Sequence, residues 1–169
     1  MQVEIKNLRE GGYLFVVSKD DENKCNLGQY SHNVNTFSGR TIYAIPLIKE
    51  VLEPMGFEPI YNEYTYEIYF KRKIGKYEFR VLCMDGTIEV IDTEFLHKVI
   101  HVKCETLNEL QNYMDALDVK YMDELFTAEV YQKLQEFAEG YLAFRDAKAA
   151  YYEKMAQSMK KYEEEDNEK

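Results

Sequence analysis

Apolar and polar residues alternate through the middle of this chain and recur at helical spacing through its last third. Tyr64, Tyr66, Ile68 and Phe70 alternate with Thr65, Glu67, Tyr69 and Lys71. Tyr77, Phe79, Val81 and Cys83 alternate with Glu78, Arg80, Leu82 and Met84. A period of two sends successive side chains to opposite faces of a sheet, so both runs predict half-buried strands. A polar turn containing Gly75 separates them. Asp85-Gly86 predicts a two-residue hairpin turn, because both positions tolerate positive φ. Thr87–Asp92 and Lys98–Cys104 continue the antiparallel meander.

Upstream, Val3–Leu8 and Tyr13–Ser18 predict two strands around Gly11-Gly12, the second apolar throughout and suited to a sheet centre. Lys19–Arg40 is polar and lacks apolar periodicity, which predicts a long connection or a disordered loop. Ile42, Ile45, Ile48, Val51, Leu52 and Met55 mark one helical face. Pro46 removes a helix hydrogen bond, so this helix starts or kinks there. Pro54 and Gly56 end it, and Pro59 delays the next element.

At Thr106 the period changes. Thr106 and Glu109 have capping-box spacing, in which hydroxyl and carboxylate satisfy free backbone amides. Leu107, Leu110, Met114 and Leu117 follow as a helical stripe, Asp118–Phe126 is ambiguous, and Thr127 is placed to cap a second helix. From there Val130, Leu134, Phe137, Tyr141, Phe144, Tyr151, Met155 and Tyr162 recur at alternating steps of four and three, interrupted by Lys148 and Ser158. A helix over Thr127–Tyr162 extends roughly 54 Å, beyond a body whose radius of gyration is about 13 Å. The register suggests a coiled coil. Its flanks lack the opposite charges of a two-stranded zipper, and Tyr131, Ala138, Tyr152 and Met159 widen the apolar face towards a bundle. Gly140 is a candidate break that allows the helix to fold back.

Composition adds a charge asymmetry. The formal net charge is −10. Residues 1–104 hold 13 basic and 15 acidic side chains, whereas residues 105–169 hold 8 and 16. Such acidity disfavours nucleic acid and anionic membrane as partners and suits a protein with a basic surface. The 15 Tyr and 9 Phe, with no Trp, supply amphipathic rings for half-exposed faces. Three cysteines without paired spacing, no membrane-length apolar stretch and a charged start at Met1–Glu10 together predict a cytoplasmic location.

Candidate chemistry is sparse. His97, His101 and Cys104 have ligand-like spacing, but residues four apart on a strand stand about 13 Å apart, too far for one zinc. Cys25 and His32 share the polar loop without a second pair. Glu78, Asp85, Glu89 and Asp92 could meet on adjacent strands around a cation, although alternating carboxylates usually form a solvated face. No nucleophile turn, phosphate loop or dinucleotide motif is present, and no cofactor is implied. Lys71, Arg72, Lys73 and Lys76 crowd one hairpin among tyrosines, as a phosphate-binding tip or as charges that discourage edge pairing.

The expected fold is α+β: an antiparallel β-meander with an inserted helix and a long C-terminal α-helical segment. The expected divisions are a sheet domain over 1–104, helices over 105–162 and an acidic flexible tail over 163–169. The sheet is expected to pack one face on Pro46–Met55 and part of the C-terminal helices. The expected function is non-catalytic: protein–protein interaction or assembly, and homo-oligomerisation through the long helix. Its expected anchors are Leu134, Phe137, Tyr141, Phe144, Tyr151 and Met155. Two alternatives are an acidic inhibitor occupying a basic nucleic-acid-binding surface, and a small hydrolase or nuclease using loop Cys/His or sheet carboxylates.

Overall fold

A computed structural model describes residues 10–31 and 40–167, with side chains to residue 159. The strand expected at Val3–Leu8 and the loop residue His32 lie outside the described residues. The fold is mixed α+β with two antiparallel sheets. In the first, β1 (Tyr13–Val17) is central, flanked by β2 (Cys25–Gln29) and β3 (Ile42–Tyr43). A short helix, α1 (Lys49–Leu52), leads to the second sheet, a meander of β4 (Glu58–Asn62), β5 (Glu67–Ile74), β6 (Tyr77–Leu82), β7 (Thr87–Asp92) and β8 (His97–Lys103). Three helices follow: α2 (Leu107–Ala116), α3 (Met122–Leu125) and α4 (Ala128–Asn167).

One apolar core joins both sheets to the helices. Phe70, Phe79, Val81, Ile88 and Val90 from the meander are buried in the same cluster as Phe15, Val51, Leu52, Leu110, Leu134 and Tyr141. β1 is buried on both faces, as its unbroken apolar run predicts, with Phe15 fully inaccessible. The Phe15 ring meets Phe137 and Tyr141 of α4 at centroid distances of 5.8 and 4.9 Å. Two glutamines satisfy backbone donors at this junction. Buried Gln111 of α2 accepts from the Tyr13 amide at 3.2 Å, and Gln135 of α4 accepts from the Leu27 amide at 2.9 Å. The second contact seals the outer edge of β2, which would otherwise offer unpaired strand groups.

Several local expectations are met in detail. The Glu109 amide donates to the Thr106 hydroxyl, and the Glu109 carboxylate accepts from the Thr106 amide, completing the capping box. Thr127 caps α4 by accepting from the Val130 amide at 3.3 Å. Gly75, at φ 58°, turns β5 into β6.

Other expectations are corrected. The described strands form two sheets, not one meander, because β1 takes partners from segments that show little strand pattern of their own. Residues 19–40 contain β2, held by ladder bonds to β1 although Gly28 and two polar residues blur its pattern. The helix expected to start or kink at Pro46 and run to Met55 reduces to Lys49–Leu52. Ile42 and Tyr43 pair with β1, and Pro46 bridges Thr106. The amides of Leu47 and Leu107 donate to the carbonyls of Glu105 and Ile45, tying this segment to the start of α2. The strand expected from Tyr64 begins at Glu67, and the tyrosines before it belong to the turn from β4. β4 itself includes Pro59, which an edge strand tolerates. The register pairs Leu82 with Thr87, so Asp85 and Gly86 close a four-residue turn instead of a two-residue one.

A bulge at Val99 changes the parity of β8. His97 pairs with Asp92 and Lys98 with Ile91, whereas Ile100 pairs with Val90 and His101 with Glu89. The extra residue sends His97 and His101 to opposite sides of the sheet, although four residues separate them.

α4 is an unbroken helix of 40 residues, about 60 Å long. Gly140 does not interrupt it, and a Cβ added there meets no heavy atom within 4 Å. Gly140→Ala should therefore stabilise the protein by about 0.5–1 kcal/mol, through lower backbone entropy in the unfolded chain. Urea unfolding tests this, and a loss of stability would argue against a continuous helix through position 140.

Candidate functional site

The long helix has two environments. Val130, Leu134, Ala138 and Tyr141 are buried in the core, with Phe137, Leu142 and Phe144 packed against it. Arg145 closes this part. Its guanidinium donates to the Tyr43 hydroxyl at 2.7 Å, lies 5.0 Å from that ring's centroid and pairs with Asp146 at 2.6 Å. These interactions hold the Arg145 pKa above its ordinary value, the Asp146 hydrogen bond contributing most.

Every described side chain from Asp146 to Met159 is exposed. Large apolar groups nevertheless continue. Tyr151 is 61% exposed, Tyr152 58%, Met155 44% and Met159 60%. Tyr151 and Met155 stand seven and eleven residues beyond Phe144, and Tyr152 and Met159 stand eleven and eighteen beyond Tyr141. Those spacings are close to whole helical turns, so the four lie on the face that upstream enters the core. The body thus covers Leu134, Phe137, Tyr141 and Phe144, and leaves Tyr151 and Met155 projecting. The flanking residues Tyr152 and Met159 belong with the latter.

Beside the root of this arm is an open cleft of about 560 Å³, lined in part by Lys19, Glu22, Arg40, Tyr43, Arg145 and Asp146. The Arg40 Nε atom is buried and lacks a hydrogen-bond partner. The cleft escapes a local search because Tyr43 and Arg145 are 102 positions apart. A second exposed apolar surface lies on the β4–β5 hairpin. Tyr61, Tyr64, Tyr66 and Ile68 project there, with Asn62 accepting from the amides of Tyr64 and Thr65 at 3.0 and 3.4 Å.

The basic residues of the β5–β6 hairpin are divided by strand alternation. Arg72 faces inwards, where its guanidinium donates to the carbonyls of Met55 and Glu124. Lys71 and Lys73 take the other face of β5. Lys76 stands in the turn, 3.3 Å from Asp92 and 5.1 Å from the Tyr77 ring centroid. They do not make one phosphate-binding tip.

The sheet carboxylates are separated, and three of the four are paired with cations. Glu78 pairs with Arg80 at 2.6 Å, and Glu89 with Lys98 and His101. The bulge at Val99 is what places Lys98 and His101 on one face with Glu89. Asp92 accepts from the amides of Glu94 and Phe95, while Asp85 lies in the turn after β6. Among the described residues, no three His, Cys, Asp or Glu side chains come together as a metal site.

Thiol chemistry is similarly unsupported by the surroundings. Desolvation pushes the buried Cys25 thiol up to about 11, with Arg145 opposing, and raises Cys104 further. It also raises Cys83. Each therefore stays protonated at neutral pH, whereas a nucleophilic cysteine needs its thiolate. Among the described residues, no helix is long and apolar enough to cross a membrane.

Comparisons with protein-family models, curated proteins and solved structures produced no match.

The paired carboxylates lead to a specific pH dependence. Burial acts to raise Asp92, but the amides of Glu94 and Phe95 and the Lys76 ammonium outweigh it and hold its pKa below the usual carboxylate range. Burial likewise acts to raise Glu89, and its bonds from Lys98 and His101 outweigh that. A carboxylate depressed in the folded state adds stability above its unfolded pKa of about 4, which is lost as pH falls through the folded value. Asp92→Asn should therefore lower stability at neutral pH, and the deficit should shrink as the pH drops below about 4. Urea unfolding of both proteins across that range checks this. A deficit independent of pH would exclude the charge as its cause.

Proposed function

We propose that this protein works by protein–protein interaction or assembly, with the exposed end of α4 as its contact surface. The observation that carries this is the continuation of the apolar face of α4 beyond Arg145, where Tyr151, Tyr152, Met155 and Met159 remain accessible. A lone helical segment of about twenty residues is marginal in water without tertiary packing. A partner on this face would supply that packing. Removing each of the four half-exposed side chains from water would contribute about 1 kcal/mol. The enzyme alternative has less support, because the thiols are protonated and Glu78, Glu89 and Asp92 are engaged by cations.

Two truncations separate core from surface. Ending the chain after Asp146 should leave the unfolding transition of the body nearly unchanged. Ending it before Gly140 should cost about 3–5 kcal/mol, because the buried Tyr141 ring and the packing of Phe144 are lost. Equal destabilisation by both would assign the whole helix to the core.

Light scattering and affinity capture then test the function with Tyr151→Glu/Met155→Glu. Self-association, or capture of a protein partner, should be lost while the unfolding transition stays in place. Association that survives this double substitution would move the contact surface elsewhere.

A further inference from the structure

We draw no further inference here: the strongest candidate, the cleft at the root of α4 lined in part by Lys19, Glu22, Arg40, Arg145 and Asp146, carries nothing, because Asp146 and Tyr43 already engage Arg145 and nothing in the structure shows that the buried, unpartnered Arg40 Nε opens onto the cleft.

Discussion

An α-helix advances by a fixed rise per residue, so an unbroken helix of 40 residues outruns the body on which it begins. This constraint organises the molecule. The first turns of α4 close the core by packing Leu134, Ala138 and Tyr141 onto the first sheet, around Phe15. Nothing in the backbone then stops the helix. Gly140 is accommodated, and Arg145 makes the closing contacts with Tyr43. The same apolar face therefore serves as core over one stretch and as surface over the next. The division between them is set by where the body ends, not by a change in the face itself.

The polar chemistry of the body is largely consumed in holding it together. Gln111 and Gln135 satisfy strand amides, Arg72 donates to two backbone carbonyls, and Asp92 fastens the turn after β7 to Lys76. Buried donors and acceptors are costly when unpaired, which explains why long polar side chains reach into these positions. The residue types that first suggest a site, including the hairpin cations and sheet carboxylates, are distributed among such tasks. Large apolar groups that remain outward include those of the α4 arm and the tyrosines of the β4–β5 hairpin.

Elements with strong local signals were legible in advance. The Thr106–Glu109 capping box, the Gly75 turn, β6 and β7, and the long helix all follow from contacts within a few residues. β2 and β4 were not. Their short segments include Gly28 and Pro59, which weaken a strand pattern, and each becomes a strand by pairing with a better one. Ile42 and Pro46 were likewise drawn from an apparent helix into sheet and bridge contacts. The candidate site was half legible: the stripe containing Tyr151 and Met155 is plain in the spacing, but its covered and uncovered portions look alike.

The sequence by itself determined the α+β class, the hairpin order of the meander and the existence and face of the long helix, because periodicity and capping are local physics. Only the tertiary structure decided that the strands divide into two sheets, that Val99 bulges to bring Lys98 and His101 onto Glu89, and that the body stops at Arg145. Those outcomes depend on partners remote in the chain. Tyr43 and Arg145 meet across 102 positions, and that kind of closure leaves no mark in the spacing of neighbouring residues.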